Sequence, residues 1–160
     1  YVYGGGNQRV SEILKVDISE AKRIRETFEI KLPALKLLKD AVISKHRRLG
    51  YVKGLDGRKL IGRAEFSLLN LLLQSAGALL VKQGTIILNN DLEKEGFKFG
   101  REYAMVLHVH DEMQFIVDED KIEQFKVISE GLFKKTRDHF NFRCQLDGEI
   151  KVGQNWSDTH

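Results

Sequence analysis

The chain has 160 residues, of which 42% are hydrophobic and 31% charged, and its formal net charge is +3. This ordinary globular balance fits one domain or a large piece of one. The single cysteine, Cys144, excludes an intramolecular disulfide and suits a reducing compartment. No run approaches the roughly 18 apolar residues of a membrane span, and the N-terminus lacks the regions of a signal peptide. The chain does not begin with methionine, so we expect a fragment or a processed product.

Positive charge is concentrated in the first half of the chain. Residues 21–63 hold thirteen Lys and Arg against four acidic residues, whereas residues 91–130 hold eleven acidic residues against five basic ones. This split suggests that a polyanion contacts the first half and that the second half hosts cations or is solvated. A solvated basic helix face is the simpler explanation from charge alone.

The first fifty residues are predicted to be mainly helical. The three glycines at residues 4–6 predict a break in the chain. The segment "DISE", residues 17–20, has the form of an N-terminal capping arrangement and predicts a helix to about Lys31. Pro33 is placed to begin the next helix, whose apolar residues recur at helical spacing until Gly50.

A short hairpin and a long helix are predicted next. The segment "YVKGLDGRKLIG", residues 51–62, predicts two short strands around an Asp56–Gly57 turn. The apolar residues 66–82 are too many for a strand and predict a buried helix. A second, acidic helical stretch is expected to end at Gly96.

The last third of the chain mixes strands and a helix. Residues 106–117 predict two strands that meet in a tight turn, and residues 118–140 predict an amphipathic helix with an acidic start and a basic end. A final strand is expected around "CQLDGEIKVG", residues 144–153. The predicted fold class is therefore α+β, with an antiparallel hairpin and a long buried helix.

The turn in "VLHVHDEMQFIV" carries the clearest chemical signal. Asp111 and Glu112 are adjacent carboxylates beside His110, and a divalent cation would relieve their repulsion. The oxygen-rich set favours magnesium or manganese over zinc. A solvated turn is an open alternative. A zinc hydrolase that uses His108, His110 and Asp111 is the competing chemistry, but further ligands with suitable spacing are missing.

Two amides on the predicted long helix form a second signal. Asn70 and Gln74 are four residues apart and therefore share one face. Such amides can contact solvent or a neighbouring helix end, or they can read the acceptors that every base pair shows in the minor groove. Arg63, seven residues before Asn70, would extend the same stripe if the helix began early.

Tyr3 precedes the three glycines. A tyrosine there can be a stacking platform for a base or a core aromatic. No Lys-Ser/Thr follows the glycines, so the segment is not a P-loop.

Together these segments resemble the C-terminal part of a family A DNA polymerase, most like the replicative polymerases of short-tailed bacteriophages. The segment "VLHVHDEMQF" resembles motif C of the palm. "LDGRKL" followed by "LNLLLQSAGALLVK" resembles the long palm helix and its approach, with the Asn-x-x-x-Gln pair. "VGQNWSDTH", with Asn155, Trp156 and His160, resembles the family's C-terminal ending. The resemblance covers essentially all 160 residues.

The resemblance implies template-directed DNA synthesis with two Mg²⁺ ions as cofactor, and primer-template DNA and deoxynucleoside triphosphates as partners. Asp111 resembles the metal-binding aspartate of motif C, and Glu112 resembles its more peripheral neighbour. His110 resembles the histidine near the primer terminus. His108 matches no family role, and packing is the expected explanation.

Further DNA contacts are implied on the fingers side and along the helix. Asn70 and Gln74 resemble the minor-groove contacts to the primer-template, and Arg63 resembles a third contact at phage-like spacing. Tyr3 resembles the tyrosine at the end of motif B that stacks against the template base.

The resemblance also implies what is missing. Motif A and the start of motif B are absent, and two-metal phosphoryl transfer needs carboxylates on both sides of the ion pair. We therefore expect residues 1–50 to be the C-terminal part of the fingers and residues 51–160 the C-terminal half of the palm. The isolated chain is expected to be inactive and to need a complementing N-terminal polymerase portion.

The expected setting is the cytoplasm of a bacterial host if a phage encodes the chain, with no membrane partner. The sequence identifies no processivity factor. A non-catalytic nucleic-acid-binding remnant is the main alternative, and a metal-dependent hydrolase is the second.

Overall fold

The computed structural model describes residues 2–159 and divides into two compact units, Tyr1–Gly77 and Ala78–His160. His160, which the resemblance assigns to the C-terminal ending, lies outside the described residues. Helices and two small antiparallel hairpins make up the regular structure, and this confirms the α+β class.

Three helices open the first unit: α1 (Asn7–Leu14), α2 (Ile18–Lys31) and α3 (Pro33–Leu49). Asp17 Oδ1 accepts a 2.8 Å hydrogen bond from the backbone N–H of Glu20, as the capping arrangement predicts. Pro33 begins α3, and Gly50 ends it in the left-handed conformation, with φ at +76°. Helix α1 was not predicted from the sequence.

The predicted first hairpin is confirmed. Strands β1 (Val52–Lys53) and β2 (Lys59–Leu60) pair antiparallel around a turn in which Gly57 has a φ of +85°. A small core beside this hairpin consists of buried Val42, Val52 and Leu68, against which Ile43, Leu60 and Leu72 pack.

A 27-residue helix, α4 (Leu68–Lys94), follows a 3₁₀ turn at Glu65–Ser67. It joins the two helical stretches that the sequence analysis separated. The prediction of a long helix is confirmed, but burial is confined to part of its surface. Leu68 and Leu92 are fully buried, whereas Leu73 and Ile86 are 42% and 53% exposed.

By length and composition alone, the helical stretch Glu65–Lys94 could cross a membrane. Its mean hydropathy reaches 1.5 over 18 residues, and 11% of that window is buried. A single stretch of this kind is weak evidence, because apolar helices of soluble proteins have the same length and composition. The expected absence of a membrane partner stays a prediction.

The second unit contains the predicted central hairpin, with β3 (Tyr103–Val109) and β4 (Glu112–Val117) paired antiparallel and a bulge between Met105 and Leu107. Helix α5 (Ile122–His139) follows a 3₁₀ turn at Glu119–Lys121. The core of this unit is formed by six buried residues: Leu88, Leu92, Phe97, Tyr103, Phe125 and Leu132.

The predicted last strand is wrong, because residues 144–153 form neither a helix nor a strand. A strand needs a partner for its backbone groups, and within residues 2–159 no strand pairs with this segment. The segment instead approaches α5 so closely that a Cβ on Gly148 would lie 2.4 Å from the ring of Phe133. A 3₁₀ turn, Trp156–Thr159, ends the described chain.

Candidate functional site

The tip of the β3–β4 hairpin is a two-residue turn. Val109 pairs with Glu112, so His110 and Asp111 are the two turn residues. His110 has a φ of +51°, in the region that favours glycine in such turns. A non-glycine residue there costs on the order of 1 kcal/mol. The tight turn places Asp111 at the extreme end of the hairpin and Glu112 at the first position of β4.

The two carboxylates have different surroundings. Both residues are exposed. The Asp111 carboxylate forms no hydrogen bond or ion pair with any residue between 2 and 159. Glu112 Oε1 accepts a 2.6 Å hydrogen bond from the side-chain amide of Gln114, Nε2. The sequence analysis did not single out Gln114, although its place two residues after Glu112 in a strand predicts that both side chains leave on one side.

The hairpin is anchored by its other face. Met113, Phe115 and Val117 pack against the core of the second unit. Thr85 Oγ1 on α4 lies 3.1 Å from Met113 Sδ. Alternate residues of β4 are therefore fixed by packing, and Glu112, the residue before Met113, begins a supported strand.

Adjacent carboxylate oxygens are the donors that Mg²⁺ and other hard cations prefer, so Asp111 and Glu112 fit part of such a site. Within the described part of the chain, however, no group of three or more His, Cys, Asp or Glu residues could hold a metal ion. His108 and His110 thus form no zinc ligand set with Asp111. Within residues 2–159, Asp111 and Glu112 are therefore two carboxylates without a third ligand beside them.

Asn70 and Gln74 lie on α4 and share one face, as the four-residue spacing predicts. Asn70 is half-buried and Gln74 is exposed. Neither side-chain amide hydrogen bonds to another residue in the range 2–159, so both can donate to a ligand. Arg63 lies in a bend five residues before α4 begins, so it does not extend this helical stripe. Its predicted contact with DNA stays a prediction.

Tyr3 is 74% exposed in the first unit, where a base could reach its ring. The next residue, Gly4, has a φ of +76°, and a Cβ there would lie 2.4 Å from the carbonyl oxygen of Phe66. Only glycine permits this approach. Phe66, 64% exposed, is a second accessible aromatic that the sequence analysis did not identify.

Part of the basic run is neutralised by acidic neighbours. Arg47 Nε lies 2.6 Å from Glu65 Oε1. The guanidinium lowers the pKa of Glu65 through hydrogen bonding, and Glu65 raises the pKa of Arg47. Other residues of the run form no ion pair within residues 2–159 and can contact an external anion: Lys31, Lys45, Arg48, Lys53 and Arg63.

Comparisons with known proteins agree on one family. The family model for DNA polymerase family A matches residues 1–158. A DNA-directed DNA polymerase of Escherichia phage T7 is 32% identical over 179 residues, which cover 100% of this chain and 25% of the phage protein. The polymerase of Enterobacteria phage T3 is 30% identical with the same coverage. The chain thus spans about a quarter of the length of these relatives.

The fold also has a close structural counterpart. The POL domain of Pol1 from M. smegmatis, solved in complex with DNA primer-template and dNTP, superposes with a TM-score of 0.85. The superposition covers 99% of this chain and 29% of that one, at 21% sequence identity. At this identity the similarity establishes a shared fold.

Proposed function

Because the chain belongs to DNA polymerase family A, we propose that it contributes half of an active site for template-directed DNA synthesis. The observation that carries the proposal is the pair Asp111 and Glu112 at the tip of a hairpin anchored to a packed core. The named phage relatives are DNA-directed DNA polymerases, and this supports the same reaction class for the chain.

Asp111 is the principal ligand that the chain offers to Mg²⁺, and Glu112 is the more peripheral one. When bound, Mg²⁺ neutralises developing charge on the phosphates and orients the attacking oxygen. The hairpin's role is to hold the Asp111 carboxylate at a fixed place on a supported strand. The remaining carboxylates, including that of motif A, come from a complementing N-terminal polymerase portion.

Candidate DNA contacts lie in each unit. Asn70 and Gln74 donate hydrogen bonds to minor-groove acceptors, which every base pair presents. His110 lies near the primer terminus, and Tyr3 stacks against the template base. Arg63 and the other unpaired basic residues contact phosphates, which adds affinity without sequence preference. The M. smegmatis relative was solved with DNA primer-template and dNTP, and this supports both as partners.

In this proposal residues 1–50 are the end of the fingers and residues 51–160 the C-terminal half of the palm. The reaction takes place in the cytoplasm of a bacterial host if a phage encodes the chain, without a membrane partner.

Primer extension with Mg²⁺ and four deoxynucleoside triphosphates tests the proposal. The chain is tested alone and mixed with a separately expressed N-terminal polymerase portion that ends before residue 1. We expect extension only in the mixture, and Asp111→Ala should lower its rate by at least about 100-fold. Asp120→Ala, a change of an exposed acid in the 3₁₀ turn before α5, is the matched control and should extend like the wild type.

Failure of extension in a mixture that assembles on size-exclusion chromatography would reject the proposal. Binding of primer-template that survives Asp111→Ala in that mixture would then identify a non-catalytic nucleic-acid-binding remnant. Zinc-stimulated hydrolysis by the isolated chain would instead point to a hydrolase.

A further inference from the structure

Gln114 makes one hydrogen bond with its side chain. Its Nε2 donates to Glu112 Oε1 over 2.6 Å, and no other described residue hydrogen bonds to that side chain. The two residues are two positions apart in β4, so their side chains leave the strand on the same side. Across the hairpin, Gln114 pairs with Leu107 and Glu112 pairs with Val109. Apolar neighbours on the opposite strand offer the amide no competing acceptor, so it is directed along the strand to the carboxylate.

The chemistry of an amide suits a carboxylate that is to meet a cation. A hydrogen bond to a carboxylate is short and strong, so it fixes the orientation of the group. An amide is neutral, and it therefore leaves the negative charge of Glu112 in place. A lysine at the same position would also donate, but its positive charge would compete with a divalent cation. A hydrocarbon side chain would remove this hydrogen bond from the carboxylate.

We propose that Gln114 is a positioning residue, which holds the Glu112 carboxylate in one orientation beside Asp111 and thereby raises the affinity of the hairpin tip for a divalent cation. The inference rests on the proposed function, because it takes Asp111 and Glu112 as cation ligands. Hydrogen-bond partners behind metal ligands have this effect generally, since an oriented ligand loses less freedom on binding.

Mn²⁺ binding, followed by the electron paramagnetic resonance signal of the free ion, tests the proposal without a measurement of activity. The full chain is mixed with the complementing N-terminal portion and primer-template. Gln114→Leu keeps the approximate size of the side chain but removes the donor. We expect it to raise the Mn²⁺ concentration at half-saturation about tenfold. Gln114→Lys should weaken binding at least as much, because its charge competes with the ion.

Two further variants separate the possible failures. Gln124→Leu, the same substitution at an exposed position of α5, should bind Mn²⁺ like the wild type. Asp111→Ala should abolish the binding if the proposed function is correct. Wild-type binding by Gln114→Leu together with loss in Asp111→Ala would overturn the role of Gln114 alone. Unchanged binding in Asp111→Ala would overturn the proposed function and this inference with it.

Nuclear magnetic resonance of the ¹⁵N-labelled chain provides a test that needs no change at Gln114. The side-chain amide protons of Gln114 are expected at a shifted position because one is bound to a carboxylate. Glu112→Ala removes the acceptor and should return them to the position of exposed glutamines such as Gln124. An unchanged Gln114 resonance in Glu112→Ala would overturn the proposal even if Gln114→Leu failed to fold.

Discussion

The phenol of Tyr103 donates a 2.6 Å hydrogen bond to Asn89 Oδ1, and this bond joins the first residue of β3 to α4. Asn89 in turn donates to Glu93 over 2.9 Å. Tyr103 is 3% exposed. Burial raises its pKa above the ordinary 10.0, and the negative charge of Glu93 adds to the shift. The folded state therefore favours the neutral phenol, so its stabilisation is complete below the ordinary pKa and lost as the pH rises through the raised pKa.

Tyr103→Phe should separate the contribution of the hydrogen bond to Asn89 from the effect of phenol ionisation on stability. At neutral pH we expect it to lower the free energy of unfolding by about 1 kcal/mol, because the partly buried acceptor on Asn89 loses its donor. Above about pH 10 the variant should lose less stability than the wild type, because no phenol ionises at this site. Urea unfolding followed by circular dichroism, at neutral pH and at the higher pH, measures both changes in stability. A loss at high pH identical to that of the wild type would contradict the prediction.

Leu92→Ala should be strongly destabilising. Leu92 is fully buried on α4 among the six core residues of the second unit. Truncation leaves a cavity, and the expected loss is about 3 kcal/mol. Ile86→Ala on the same helix is the control, because Ile86 is 53% exposed and its truncation should cost less than about 1 kcal/mol. Equal losses in the free energy of unfolding for the two variants would contradict the prediction that Leu92 packs in the core and Ile86 does not.

Features of the first unit that depend on one local residue type were predictable. Asp17 caps the start of α2 with its own side-chain oxygen. Gly50 and Gly57 adopt the positive φ values that a helix end and a turn require. Helix α1 lacks such a signal, because its N-cap, Gly6, forms no side-chain hydrogen bond. It has no buried residue, and its Asn7 Oδ1 accepts a 2.8 Å hydrogen bond from Arg25 Nη1 on α2, a contact between distant positions that the sequence pattern does not express.

Long-range packing explains the remaining differences. The sequence analysis divided α4 near residue 82, yet Gly84 lies within one continuous helix, where a Cβ would be 3.2 Å from Leu132 Cδ1. Helix α5 can approach α4 closely at this position because Gly84 has no side chain. The strand expected at 144–153 lacks a pairing partner, which local alternation cannot reveal. Asp111 and Glu112 were singled out because two adjacent acids stand between strongly apolar strands and resemble motif C, and their role as metal ligands stays a prediction.

Asn70 and Gln74 provide a test of base-edge contact. In the assembled mixture, Asn70→Ala and Gln74→Ala should each weaken primer-template binding by about 1 kcal/mol, because one hydrogen bond to a minor-groove acceptor is lost. The dependence of binding on salt should not change, since no phosphate contact is removed. Fluorescence anisotropy at several salt concentrations measures both quantities. Asn90→Ala, at an exposed position of the same helix, is the control; a changed salt dependence in the Asn70 or Gln74 variant would indicate phosphate contact instead.

His110 combines a strained backbone with a proposed contact to the primer terminus, and two substitutions separate these roles. Glycine adopts the observed φ of +51° without steric cost, so His110→Gly should raise the free energy of unfolding by about 0.5 kcal/mol after its own entropy cost. His110→Ala retains the strain and should not stabilise. Both variants lack the imidazole, so both should bind primer-template more weakly in the assembled mixture. Equal stability of the two variants in urea unfolding would show that the turn is unstrained, and wild-type DNA binding by both would remove His110 from the interface.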